Sequence, residues 1–167
     1  KGVSSMGEKN RVYEVLKELE IPYEVTPHPA VFTAEEAEEY RDLLVGTRCK
    51  NLFLKNGRGR VHYLVIVPHD KMLDLRRLDT LLDEKRLGFA SPRRLMKYLG
   101  LTPGSVSVFG LINDEENHVR VVLDEDLHKE DKINFHPNIN TETLTIMYTD
   151  LIRFLEWTGN PYMVRKL

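Results

Sequence analysis

The chain has 167 residues, 41% of them hydrophobic and 30% charged, a composition that supports one globular domain with a single substantial core. A formal net charge of -2 excludes a surface that is basic overall, as long nucleic acids demand, and no apolar run reaches the roughly 20 residues of a membrane helix. One cysteine, Cys49, excludes an internal disulfide and fits a reducing compartment, so a cytoplasmic location is expected.

Residues 1–5 read as a vector-derived lead ahead of Met6, leaving one domain over 6–167. From Glu8 onward, Val12, Val15, Leu16 and Leu19 recur at three- and four-residue spacing, the mark of an amphipathic helix that Pro22 terminates. Tyr23 and Val25 then give a short extended piece before the stiff Pro27-His28-Pro29 turn. Thr33 with Glu36 forms a capping box for a second helix, whose inner face is Ala37, Tyr40 and Leu44 and whose end is Gly46.

Leu52, Phe53 and Leu54 form a compact apolar strand, with Lys50 and Asn51 at its mouth. Asn56-Gly57-Arg58-Gly59 signals a hairpin turn, and Val61 to Val67 is the partner strand. Asp74 caps a short helix through Leu75, Leu78, Leu81 and Leu82, and Leu87 to Ala90 is extended. Ser91-Pro92 opens the next helix and Gly100 closes it. Thr102 to Ser105 is a loop. Strands follow at Val119 to Leu123, Ile133 to His136 and Thr143 to Met147, and Thr149 or Asp150 caps a final helix. Without regular strand-helix alternation, and with antiparallel hairpins in the middle, the fold class is mixed α/β or α+β in a single domain.

Most catalytic signatures fail. No histidine pair has the spacing of a zinc motif, no Gly-x-Ser-x-Gly elbow surrounds Ser105 or Ser107, and no phosphate-cradling glycine loop occurs. No metal or other cofactor is expected. Cys49, ahead of an apolar strand, reads as a small buried thiol rather than a nucleophile. Lys50 alone reads as a lysine that snorkels to water, and His136 alone as a structural turn histidine or a ligand-binding one. Basic clusters at Arg58 and Arg60, Arg76 and Arg77, Lys85 and Arg86, and Arg93, Arg94 and Lys97 read first as solvated faces.

Five blocks in order then carry a resemblance: His28-Pro-Ala-Val-Phe-Thr33, Lys50-Asn-Leu-Phe-Leu-Lys55, Phe89-Ala-Ser-Pro92, Leu99-Gly-Leu-Thr-Pro-Gly-Ser-Val-Ser107 and Phe135-His-Pro-Asn138. Together they resemble the YbaK/ProX family of aminoacyl-tRNA editing proteins, over about Val12 to Trp157. The resemblance implies a single domain with a curved, largely antiparallel sheet flanked by helices. It further implies a deacylase of the branch related to the editing domain of prolyl-tRNA synthetase, acting on alanine wrongly attached to proline tRNA.

Carried over by position, Lys50, Asn51, Gly104 and His136 are the implied catalytic positions. Val31, Phe32, Thr33, Ser105 and Ser107 are the implied substrate-binding ones. The implied partners are the 3′ CCA end and acceptor stem of a mischarged tRNA, and prolyl-tRNA synthetase itself; no membrane is involved. In the family's Gly-x-x-x-Pro loop Gly104 matches, but Val108 stands where proline is expected. The alternatives are a deacylase for cysteine or serine, a noncatalytic tRNA- or synthetase-binding module, and an interaction protein with no tRNA role.

Overall fold

The structure, a computed structural model, describes residues 5–30 and 46–167. The helix expected from Thr33, and with it Val31, Phe32 and Thr33, lies outside the described residues. Helix α1 (Ser5–Glu18) leads into strand β1 (Glu24–Pro27), and then come β2 (Thr47–Lys55) and β3 (His62–Pro68). Helix α2 (Leu75–Leu82), strand β4 (Gly88–Phe89) and helix α3 (Pro92–Leu99) follow. Two 3₁₀ segments, Pro103–Ser105 and Val108–Asn113, lead to β5 (Arg120–Asp124), a further 3₁₀ turn (Glu125–Lys129), β6 (Lys132–Phe135) and β7 (Glu142–Met147). Helix α4 (Tyr148–Thr158) and β8 (Tyr162–Arg165) close the chain. Among the described residues, no helix is long and apolar enough to cross a membrane.

The eight strands form one mixed sheet in the order β1-β7-β6-β2-β3-β5-β8, with β4 attached to β2. The β1–β7, β6–β7, β2–β3 and β2–β4 pairs are antiparallel, and β2–β6, β3–β5 and β5–β8 are parallel. Both faces of the sheet are covered. On the larger face Phe53, Leu64, Ile66, Val121 and Leu123 pack with α1, α3, α4 and the Val108–Asn113 segment. On the smaller, Leu54, Tyr63, Val65, Val67 and Val122 pack with Leu78 of α2 and with Leu87. Coverage of both faces explains why β3 is a continuous apolar run, Tyr63 to Val67, rather than an alternating one.

The local signals hold where they rest on capping chemistry. Asp74 accepts from the Arg76 and Arg77 amides, Ser91 accepts from the Arg94 amide, and Gly100 stops α3 with φ +68°. In the β2–β3 turn the Asn56 side-chain oxygen accepts from the amides of Arg60 and Val61, while Gly59 takes the positive φ. One expectation is corrected: neither Thr149 nor Asp150 caps α4, because Met147 is its cap residue and makes no side-chain bond. The Tyr148 amide instead donates to the Asp131 carbonyl at 3.1 Å, so a tertiary partner satisfies the helix start.

Beside β3 the larger face carries a polar inclusion. Fully buried His62 lies between Phe53 and Tyr98, its Nδ1 2.9 Å from His118 Nε2, and the Arg94 guanidinium donates to its Nε2 at 3.1 Å. Burial, and after it the charges of His118, Arg94, Lys97 and Lys55, hold the imidazole down to about 4. As pH falls from the ordinary histidine value of 6.5 towards 4, the unfolded chain takes up a proton that the folded chain refuses. His62 therefore makes stability fall through that window, by at most about 1.4 kcal/mol per pH unit. His62→Gln keeps a donor and an acceptor but does not titrate. Denaturant melts at pH 7.5 and pH 5 are expected to show a larger loss for the wild type than for this variant, and equal losses would remove His62 from the account.

Candidate functional site

β2 joins two halves of the sheet. Its outer edge pairs with β6 only at Thr47 and Arg48, and with β4 only at Leu54 and Lys55. The Ala90 amide reaches the Phe53 carbonyl at 2.9 Å. Between those contacts, Cys49 to Leu52 have a strand neighbour on the β3 side alone among the described residues. A break in the sheet thus opens at Lys50 and Asn51, the two residues singled out at the strand mouth. They stand in mid-strand rather than at its entrance, since β2 begins at Thr47.

Successive strand side chains alternate in face. Lys50 shares the smaller face with Leu52 and Leu54, and its Nζ donates to the Lys71 carbonyl at 2.7 Å. Lys71 in turn lies 2.5 Å from the buried carboxylate of Asp124 and 2.8 Å from that of Asp126. The hydrogen bond from Lys71 foremost, and after it that from Lys129, hold the Asp126 carboxyl down to about 2. Asn51 shares the larger face with Phe53. Its side-chain oxygen is buried and has no hydrogen-bond partner among the described residues, an uncommon state for an amide oxygen.

The other implied positions divide into two groups. The Ser107 hydroxyl is fully buried and accepts from the Phe109 amide at 3.2 Å, so it caps the Val108–Asn113 segment. The Ser105 amide is committed to the Thr102 carbonyl at 2.9 Å. Asn138 donates to the Phe109 carbonyl at 3.3 Å, which ties the loop after β6 to the segment after Gly104. His136 stands beside His28, ring centroids 6.2 Å apart, with Nδ1 3.2 Å from the Glu142 carbonyl. A carbonyl only accepts, so Nδ1 carries the proton and Nε2 is left as the acceptor. Burial lowers the His136 pKa, His28 lowers it further, and the Glu142 carbonyl pulls it back up. The ring is therefore neutral at neutral pH. Among the described residues Lys50 is bonded to neither loop.

Val108, fully buried, opens its 3₁₀ segment, and Ser107 before it has φ -154° and ψ 149°. That extended backbone is what a following proline would enforce. Val108 therefore leaves Ser107 in the extended backbone that a following proline favours. Cys49 is half-buried rather than buried as expected, yet desolvation, and secondarily Glu130, push its thiol up to about 12 against the opposing Asn134 amide, so it is no thiolate at neutral pH. The Lys71–Asp124–Asp126 cluster behind Lys50 had no signal in the sequence beyond an acidic run.

The family is established by comparison with known proteins. Residues 28–154 match the aminoacyl-tRNA editing domain, and the chain belongs to that family. It is 40% identical over 162 residues to the prolyl-tRNA editing protein ProX of Acetoanaerobium sticklandii, covering 97% of this chain and 99% of that one. Prolyl-tRNA synthetase associated domain-containing protein 1 of Danio rerio is 38% identical over 158 residues, 93% of this chain and 85% of its own. A proline–tRNA ligase of Thermosipho melanesiensis matches at 30% over 122 residues, 73% of this chain but 20% of the ligase. In fold, a crystal structure of a candidate trans-editing enzyme for prolyl tRNA synthetase superposes with TM-score 0.72 at 24% identity, covering 99% of this chain and 98% of that one.

Proposed function

We propose that the protein is a trans-editing hydrolase that removes alanine from mischarged Ala-tRNA(Pro), acting at the break in the sheet beside β2. The observation that carries this reading is the edge from Cys49 to Leu52, which has no strand neighbour on the β6 and β4 side among the described residues, and where Lys50 and Asn51 lie with the buried Asn51 oxygen unpartnered among those residues. The names of the relatives that this chain matches over most of its length support the choice of tRNA(Pro). A substrate lying across an open strand edge can be reached from both faces of the strand.

Water attacks the ester carbonyl carbon, and the bond to the ribose oxygen breaks with that oxygen taking a proton. Lys50 acts as a positioned cation that holds the terminal ribose-phosphate, and the ribose 2′-hydroxyl helps to orient the water, so that placement supplies much of the rate. Amides of the Gly104 segment face the developing oxyanion, with that of Ser105 already engaged by Thr102. Asn51 and neutral His136 contribute polar contacts to the terminal nucleotide. Val31, Phe32 and Thr33 are assigned, from the family resemblance alone, to selecting alanine by size. Discrimination by size is easier against a larger residue than a smaller one, for which each missing methylene is worth roughly 1 to 3 kcal/mol.

The test uses purified protein with labelled Ala-, Cys-, Ser- and Pro-tRNA(Pro), followed by loss of the ester. Rapid loss of the alanyl ester with the prolyl ester intact is the expected result. Preferential loss of the cysteinyl or seryl ester would reassign the substrate, and tRNA binding with no hydrolysis of any ester would make the protein a binding module.

A further inference from the structure

At the far end of β2 three segments distant in sequence are brought together. The Gly57 amide donates to the Lys85 carbonyl at 2.8 Å, and a Cβ at Gly57 would come within 3.1 Å of both that carbonyl and the Arg86 Cβ. Arg94 of α3 donates to the Gly59 carbonyl at 2.8 Å. This contact fastens the β2–β3 turn, the Lys85-Arg86 loop and the start of α3 into one rim.

Arg58, Arg60, Lys85, Arg86, Arg93 and Lys97 are all exposed on these segments, and none has an ion pair among the described residues. Arg93 and Lys97 are one helical turn apart on α3 and so share a face. Glu84, which precedes Lys85, is occupied by the Tyr63 hydroxyl at 2.5 Å and the Asn56 amide at 3.2 Å. In a chain of net charge -2, six exposed cations without an ion pair among the described residues are a local concentration on one rim that the overall balance conceals. Phe89, 64% exposed on β4, stands between this rim and the break in the sheet.

We propose that this rim is a docking surface for the phosphate backbone of an RNA duplex, the acceptor stem of the tRNA whose 3′ end enters the break beside β2. Double-helical RNA presents regular phosphates and a groove that side chains read by shape, and exposed arginines and lysines with no ion pair among the described residues match it, Lys97 alone also lying over the Tyr98 ring at 5.1 Å. Position supports the assignment. From Lys50 to Lys55 the strand runs about 17 Å at ~3.3 Å per residue, a gap that a few unpaired nucleotides bridge. Phe89 lies along that route and offers an exposed ring on which an unpaired base can stack. The inference rests on the hydrolase reading for the identity of the RNA, but not for the surface itself.

Two triple variants with the same change in net charge separate the rim from bulk charge: Arg58→Gln, Arg60→Gln, Arg93→Gln on the rim, and Lys17→Gln, Lys129→Gln, Lys166→Gln elsewhere. Binding of an unacylated tRNA(Pro) transcript is measured across a salt series. The rim triple is expected to lose about tenfold or more in affinity, with a salt dependence shallower by roughly 2 to 3 in log-log slope, while the other triple stays close to wild type. Hydrolysis of an alanylated CCA trinucleotide, which has no duplex, is expected to be unchanged in the rim triple. Equal tRNA affinity in the two triples would overturn the docking surface, and so would a trinucleotide reaction as impaired as that of whole tRNA. Rim-dependent binding by a wild type that cleaves no ester would keep the surface and sink the hydrolase reading instead.

Discussion

Lys50→Ala is expected to lower kcat/KM for Ala-tRNA(Pro) by about 10² to 10³, the range seen when a single preorganised charge-stabilising group is removed. The fold should survive. Lys50 is half-buried, and the substitution removes one described bond, from Nζ to the Lys71 carbonyl. That bond is worth about 1 kcal/mol net, or about 2 to 4 °C of Tm in a domain of this size. A stable variant with little activity is therefore the signature of a residue that acts on substrate rather than on the core. Lys50→Arg keeps the charge but replaces a compact ammonium by a planar fork on a longer stem, so recovery should be partial. If Lys50→Ala retains half or more of the wild-type rate, the lysine is one that merely snorkels and the candidate site must be moved.

Legibility in the sequence followed the range of the interactions. Asp74, Ser91-Pro92, Gly100 and the Asn56 to Gly59 turn act on neighbours a few residues away, and each does in the structure what its chemistry dictates. β8 went unread because Tyr162 to Arg165 is four residues with no alternation, and its pairing is parallel to a strand some forty positions earlier. Asn160 fixes its entry by donating to the Val119 carbonyl and the Asp114 carboxylate, both at 2.8 Å, a contact that no local pattern announces. The capping of α4 failed for the same reason: the Asp131 carbonyl does the work expected of a side chain.

The candidate site was legible as residues but not as a shape. Lys50 and Asn51 were selected from a resemblance and a strand mouth, whereas the break beside them depends on β6 and β4 each pairing with only two residues of β2 among the described residues. Alternation along β2 then sends the two side chains to opposite faces, which links Lys50 to Lys71 and Asn51 to the side of the Gly104 and His136 loops. Composition alone also read every basic cluster as a solvated face. Only the contacts at Gly57 and Gly59 show that three of those clusters are one surface.

The second large effect is on stability. In Lys71→Met the fully buried carboxylate of Asp124 loses the ammonium now 2.5 Å away, and removing one partner of a buried pair typically costs 3 to 5 kcal/mol, roughly. The Lys71 side chain is 22% exposed, so water reaches the vacated position and the lower end, about 3 kcal/mol, is expected, or about 6 to 12 °C of Tm. The loss should shrink in acid. The carboxyl of Asp126, held down to about 2 in the wild type, gives stability that is present above its ordinary 3.8 and lost as pH falls towards 2. The variant lacks the Lys71 part of that contribution at every pH, so the gap between the two curves narrows as pH falls from 3.8 towards 2. Adding Asp124→Asn removes the stranded charge and should restore most of the lost stability, since replacing both members of a buried pair is far milder than removing one. The site should feel the single change too, because the loop that loses its anchor carries the carbonyl holding Lys50. Activity is expected to drop less than in Lys50→Ala and to stay down in the double variant, where the loop still lacks its anchor. A double variant no more stable than Lys71→Met would show that packing, not the stranded carboxylate, is what Lys71 supplies.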